Sequence, residues 1–75
     1  MKIYPNPTTG QLTIEGVELK IENVEILDIL GRMVKTYRLN SSTNATLDVS
    51  ELSNGTYFVS VYSEGQKITR KFVKE

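Results

Sequence analysis

The sequence predicts an all-β fold, an antiparallel β-sandwich of about seven short strands. Three observations predict it. Val, Ile and Thr make up 21 of the 75 residues, and these β-branched side chains favour strands. Apolar and polar residues alternate at a period of two, and nowhere at the spacing of an amphipathic helix. Turn residues interrupt the alternation about every 8–12 residues, as in sandwich folds.

The first ten residues contain both prolines of the chain, Pro5 and Pro7, together with Gly10. Proline lacks the amide hydrogen that a sheet ladder needs, and it favours extended backbone in the residue before it. Tyr4 and Asn6 are therefore expected to be extended. The stretch is predicted to be an edge segment that enters the fold, stops and turns at Gly10.

The first full strand is predicted over residues 11–15, and Gly16 ends it. Alternation resumes over residues 17–21. Its phase then slips at residues 22–23 before residues 24–27 continue it. A slip of one residue reverses the buried face, so a turn or a β-bulge is expected there.

Residues 28–31 fit a type I turn, with Asp first and Gly fourth, and should close a hairpin onto residues 33–39. Residues 40–44 are five consecutive polar residues and are predicted to form a loop. Residues 45–49 alternate again and predict a short strand.

The strongest predicted strand covers residues 55–62, followed by a tight turn at residues 63–66 and a last strand over residues 67–74. The buried face of the last strand stays open, because Arg70 shares one face with Phe72. The pattern Leu-Ser-Asn-Gly-Thr-Tyr that precedes the strongest strand is typical of a tyrosine corner. The residues expected in the core are Leu12, Ile14, Val24, Ile26, Leu47, Leu52, Tyr57, Val59 and Val61.

The composition argues against catalytic and metal-binding functions. The chain has no cysteine and no histidine, hence no disulfide, no thiolate metal site and no Ser-His or Cys-His pair. Asp28 and Asp48, the two carboxylates within apolar segments, are explained better by hydrogen bonds to local backbone. No catalytic residue, cofactor or metal is therefore predicted.

Charge and length also restrict the partners. Nine basic residues balance nine acidic ones, with no basic block for nucleic acid. No apolar run approaches the roughly 18 residues of a membrane span. One monomeric domain is expected over residues 1–75. The chain starts directly in structured-looking sequence, so no signal peptide is expected at its start and a module of a longer protein is predicted.

Three short motifs occur in order along the chain. They are a proline motif at residues 4–10, an acidic turn within residues 24–32, and a closing pair of strands at residues 52–61 and 71–74. Each is weak by itself, but the order, the spacing and the basic apolar end make the combination specific. The residues of these motifs are the candidate recognition residues: Tyr4, Pro5, Asn6, Pro7 and Gly10; Asp28 and Gly31; Gly55 and Tyr57; and Lys71, Phe72, Val73 and Lys74.

With these motifs, essentially the whole chain resembles the type A C-terminal sorting domain of the type IX secretion system of Bacteroidetes-group bacteria. The resemblance implies an immunoglobulin-like β-sandwich that serves as an address and not as an enzyme. It implies a covalently linked N-terminal cargo, export through the periplasm and outer membrane of a Gram-negative bacterium, and a secreted or cell-surface product. The outer-membrane translocon and its shuttle barrel read such domains. In many members a sortase cuts near the N-terminal boundary and attaches the cargo to the surface.

Two features raise the question of partner contact. Ile29 and Leu30 are bulky apolar residues at a predicted hairpin tip, where solvent contact is unfavourable. Residues 67–75 carry four of the nine basic residues and are expected at a sheet edge. That edge could accept a partner strand, or its lysines could only protect it, and both alternatives stay open. The resemblance further implies that the prolines keep the entry edge open for a partner.

The alternative function is an adhesive or spacer module of the fibronectin-III or immunoglobulin type in an extracellular protein. Such a module shares the sandwich, but its corner typically has one more residue between Leu and Tyr. It also packs a core Trp, which this chain lacks. A small enzyme is a third alternative, disfavoured by the missing catalytic groups. Position in the parent gene separates these alternatives, because a sorting domain must end its protein.

Overall fold

A computed structural model describes residues 1–16 and 20–75 as seven strands in two antiparallel sheets, which confirms the predicted sandwich. The short strands follow from the sequence, since alternating segments are separated by Gly, Pro, Asn and Ser. The strands are β1 (Lys2–Tyr4), β2 (Gln11–Glu15), β3 (Ile21–Asp28), β4 (Met33–Ser42), β5 (Asn44–Asp48), β6 (Gly55–Ser63) and β7 (Gln66–Lys74).

The two sheets differ in width. One has three strands in the order β1-β2-β5, and the other has four in the order β4-β3-β6-β7. Strands β4 and β7 are therefore the edges of the wider sheet. Among the described residues no helix is long and apolar enough to cross a membrane.

The core lies between the sheets and matches the prediction with one exception. Leu52 is half-buried and packs against the core, whereas the other predicted core residues are buried. Apolar residues on the inward faces complete the core. Those that the prediction did not include are Ile21, Ala45, Val49 and Phe72.

The structure settles the orientation of β7. Phe72 faces Tyr57 across the pair β6–β7, and Arg70 faces Val59, so both lie on the inward side. Phe72 is fully buried, yet Arg70 is exposed. The inward face of β7 is therefore covered at Phe72 and open to solvent at Arg70.

The predicted loop over residues 40–44 is wrong. Strand β4 continues to Ser42, and β5 begins at Asn44, so one residue carries the chain from one sheet to the other. Ser42 pairs with Ile21, and Asn44 pairs with Glu15. Polar residues are tolerated there because both strands lie at sheet edges, where side chains meet solvent.

The slip at residues 22–23 is a register irregularity within a strand and not a turn. Strand β3 runs through it, with a register shift between Ile21 and Asn23 against β4. The preceding alternation falls partly on residues 17–19, which lie outside the described residues. The tight turn between β6 and β7 is confirmed, since Glu64 and Gly65 both have positive φ, 49° and 80°, as in a two-residue hairpin loop.

Candidate recognition surface

The three sequence motifs meet at one end of the wider sheet. Asp28 at the end of β3 faces Tyr57 near the start of β6, and Tyr57 faces Phe72 near the end of β7. Thr8, which follows the proline motif, forms a parallel bridge with Lys74. We call this region the motif end. It comprises the strap (residues 5–8), the hairpin (residues 28–34), residues 54–57 and residues 71–75.

The strap lies along the last residues of β7 and bonds to their backbone. The Asn6 side chain accepts a hydrogen bond from the Val73 amide at 2.9 Å and donates to the Lys71 carbonyl at 3.2 Å. The Thr8 amide donates to the Val73 carbonyl at 2.9 Å, and the Glu75 amide donates to the Thr8 carbonyl at 2.8 Å. The primary amide of Asn6 thus takes the place of a strand peptide group between two prolines that cannot donate.

That the entry edge stays open for a partner remains a prediction, with β1 at the edge of the narrower sheet and the prolines directly after it. They end β1 after Tyr4, and both peptide bonds that precede them are cis. The residues between and after the prolines then cover the end of β7. Only the first part of β7, residues 66–70, keeps an edge that the strap does not cover. The expectation that β7 is an edge strand is confirmed.

A compact turn fixes the strap to the core. Thr8 is fully buried, and its hydroxyl donates to the Gln11 carbonyl and accepts from the Gly10 amide at 3.3 Å. The Gly10 carbonyl accepts from the Val49 amide at 2.9 Å. A Cβ on Gly10 would make only ordinary contact, at 3.7 Å from the Ser50 Cβ. The turn is therefore held by hydrogen bonds and not by a lack of space.

The hairpin is held by one carboxylate. Asp28 Oδ1 accepts from the amides of Leu30 at 3.0 Å and Arg32 at 2.9 Å, and Oδ2 accepts from Arg32 Nε at 2.8 Å. The Gly31 amide closes the turn onto the Asp28 carbonyl at 2.9 Å, and Gly31 has φ +85°, which favours glycine. The amide of Arg32, which donates to the carboxylate, is the main cause that lowers the pKa of Asp28.

The hairpin presents apolar side chains to solvent. Ile29 is 68% exposed, Leu30 is 75%, Met33 is 58% and Val34 is 44%. A groove of ≈ 340 Å³ separates this tip from the start of β6. The groove is lined by Asp28, Ile29, Leu30, Arg32, Val34, Asn54, Gly55, Thr56 and Tyr57.

Three of the candidate recognition residues are buried. The Tyr57 hydroxyl donates to the Ser53 carbonyl at 2.8 Å, which confirms the tyrosine corner, and its ring stacks on Phe72 at 5.7 Å between centroids. Lys74 is 6% exposed, with Nζ donating to the Glu75 carbonyl. In the folded chain these three residues are buried, and they support the exposed residues of the motif end by packing.

The other candidate recognition residues lie at or near the surface. Gly10, Asp28 and Val73 are half-buried, and the remainder are exposed. The candidate recognition residues do not include Thr8 or Arg32, although Arg32 ends the middle motif. The Thr-Thr-Gly sequence predicts a turn, but no local pattern predicts that Thr8 pairs with the other end of the chain. The exposed set is Tyr4, Pro5, Asn6, Pro7, Gly31, Gly55 and Lys71.

Both singled-out aspartates bind local backbone, as the sequence predicts. Asp48 accepts from the Ser50 hydroxyl at 2.6 Å and from the Ser50 amide at 3.0 Å, and that hydroxyl is the main cause that lowers the pKa of Asp48. The described part of the chain contains no group of three His, Cys, Asp or Glu residues able to hold a metal ion.

Comparison with known proteins identifies the family. The family model described as "Secretion system C-terminal sorting domain" matches residues 2–75. An ulvan lyase of Nonlabens ulvanivorans is 30% identical over 66 residues, which is 88% of this chain but only 12% of the lyase. No solved structure gives a significant match. The chain belongs to the C-terminal sorting domains of the type IX secretion system, a membership that implies export across the outer membrane to the cell surface or the medium.

Proposed function

We propose that the chain is a non-catalytic sorting signal that directs a cargo protein, linked covalently to its N-terminal side, through the type IX secretion system. One observation carries the proposal. The motifs that are far apart in sequence converge on the motif end, where the strap joins the end of β7. A receptor that contacts this end meets all three motifs at once, so a correctly folded domain can be distinguished from an unfolded segment.

The direction of the chain is compatible with such a receptor. Strand β1 runs from Lys2 towards the strap, and Lys2 pairs with Glu15, at the far end of β2 from Gln11. Polypeptide that precedes Lys2 would therefore enter away from the motif end, and a linked cargo would leave that end accessible. We assign the contact there to the outer-membrane translocon and its shuttle barrel.

Removal by a sortase, with surface attachment of the cargo, is also part of the proposal. A cut upstream of Lys2 would break no strand pairing among the described residues, because the ladder of β1 starts at that residue. A cut within the strap would separate Asn6 from β7. The boundary before β1 is therefore the cleavage position that leaves the sandwich intact.

An export assay tests the sorting role. The chain is fused to the C-terminus of a fluorescent reporter that carries a signal peptide, and the reporter is followed in a bacterium with the type IX system. We expect reporter outside the cell only when the chain is attached and the translocon is present. A reporter that stays in the periplasm with the chain attached would contradict the proposal. Export without the translocon would contradict it as well. If the chain were a fibronectin-III-like spacer, the amount of reporter outside the cell would not depend on the translocon.

A further inference from the structure

We propose that the groove beside the hairpin, here called the turn groove, binds an extended peptide segment of a protein partner in which a carboxylate neighbours an apolar side chain. The proposal deepens the sorting function and rests on it for the identity of the partner. Binding itself is a property of the 75-residue chain and is measured without any export system.

The hairpin forms an apolar wall of the turn groove. Ile29, Leu30 and Val34 line the groove and are all exposed, although the two-layer core has no need of them. The Asp28 carboxylate holds the turn through two backbone amides and Arg32 Nε, so the tip is fixed before any partner arrives. A preformed apolar surface loses little conformational entropy on binding.

The guanidinium of Arg32 keeps its outer end available for a partner. Arg32 lines the groove with a side chain that is 74% exposed, and only its Nε has a partner among the described residues. Its two terminal nitrogens keep the planar fork that binds a carboxylate through two hydrogen bonds. Asp28 is the one carboxylate among the residues that line the groove, and its oxygens already bond to Arg32 Nε and to two backbone amides. The free terminal nitrogens of Arg32 therefore favour an acidic group on the occupant.

The wall across from the hairpin is polar, and this favours a peptide over a lipid. The wall across from the hairpin contains Asn54 and Thr56, and their polar groups can bond to a peptide backbone but not to hydrocarbon. A second copy of the chain that docked through the same groove would bring two Arg32 side chains together, and the Asp28 carboxylates beside them are already bonded within their own turns.

Selection from a displayed library of random peptides tests the proposal. The immobilised chain is the target, and the enriched sequences are synthesised and titrated against wild type and variants. We expect enrichment of Asp or Glu beside Leu, Ile, Val or Phe. Arg32→Gln and, independently, Leu30→Ser should each weaken the enriched peptide about tenfold, as expected for loss of a charge-assisted bidentate contact or an apolar anchor.

Arg38→Gln is the matched control, because Arg38 is an exposed arginine of β4 that does not line this groove. It should leave the affinity unchanged. Amide chemical shifts should move in residues 28–34 and 54–57 when the peptide is added. The Leu30 amide shift of each variant without peptide reports whether the turn has kept its structure, and Leu30→Ser leaves the Asp28 bonds to Arg32 in place.

Several outcomes would overturn the proposal. They are a selection without enrichment, enriched peptides that lack carboxylates, equal losses in the Arg32 and Arg38 variants, and shift changes confined to β7. Self-association of the chain through the hairpin in sedimentation would assign the surface to a second copy. Flotation of the chain with phosphatidylglycerol vesicles, abolished by Leu30→Ser, would assign it to a membrane. None of these results alters the export assay, so failure here and failure of the sorting role are distinguishable.

Discussion

The two edges of the wider sheet are stabilised in different ways at the motif end. At the β7 edge, the strap contributes Asn6 bonds to residues 65 and 67 positions away. At the β4 edge, the Asp28 carboxylate binds amides only 2 and 4 positions away. One side is therefore tied through tertiary structure, and the other is a local turn.

Because of this difference, the strap contributes to the stability of the fold, whereas the hairpin exposes side chains that a partner could contact. The partners of the strap are backbone groups of β7, so the strap depends on the place of that strand in the sheet. The hairpin forms its clamp from neighbouring residues and presents apolar side chains next to it. Changes at the strap should therefore lower global stability, whereas changes at the hairpin should alter local order and binding.

The largest effect is expected from Phe72→Ala. Phe72 is fully buried and stacks on Tyr57, so its truncation should reduce the free energy of unfolding by about 3–5 kcal/mol. That loss equals about the whole stability of a core of this size, so the chain should unfold and release the strap. Urea denaturation followed by far-UV circular dichroism measures it. Lys67→Ala, at an exposed site of the same strand, should change it by about 0.5 kcal/mol or less.

A stable, folded Phe72→Ala protein would show that the β7 end does not depend on the core. The strap would then need another source of order, and its tertiary character would be contradicted.

An intermediate effect is expected from Asn6→Ala. It removes two hydrogen bonds to β7 and leaves the Val73 amide without its partner, a loss of about 1–2 kcal/mol. Hydrogen exchange of the Val73 amide should become faster, while the Leu30 and Arg32 amides keep their protection. Asn44→Ala, at an exposed asparagine in β5 without a described side-chain bond, is the control. Unchanged exchange at Val73 would show that the strap does not protect this edge.

The smallest effect is expected from acid. The pKa of Asp28 is lowered in the folded chain, mainly by the Arg32 amide that donates to it. A lowered pKa means that the clamp adds stability above the ordinary value of 3.8, and that this contribution disappears as the pH falls through the lower folded value. In an NMR titration the Leu30 and Arg32 amides should report this folded pKa, and Asp28→Asn should abolish their response. An apparent pKa at or above 3.8 would show that the clamp does not form.

Local patterns predicted much of this molecule. The alternation in β6 gave the buried Tyr57, Val59 and Val61, and the Asp-x-x-Gly sequence gave the hairpin, because these features depend on neighbouring residues. All the candidate recognition residues except Tyr4 and Gly10 lie at the motif end, although no spacing shows that convergence.

The errors arose where tertiary pairing overrides local composition. The polar residues 40–44 resemble a loop, yet most of them lie in edge strands, because backbone pairing continues through them. The proline motif likewise carries no local sign that Asn6 bonds to the end of β7. Long-range pairing leaves no periodic signal in a single sequence, so neither result could be predicted from it.

If the receptor binds the motif end, two lysines of β7 should differ in their effect on export. Lys71 and Lys67 are both exposed, and they face Phe58 and Tyr62 on the same side of β6, but only Lys71 lies at the motif end. The measurement is the exported share of reporter for Lys71→Glu and Lys67→Glu, each first shown to be as stable as wild type. We expect a strong loss of export for Lys71→Glu and wild-type export for Lys67→Glu. Equal export from the two variants would contradict binding of the receptor at the motif end.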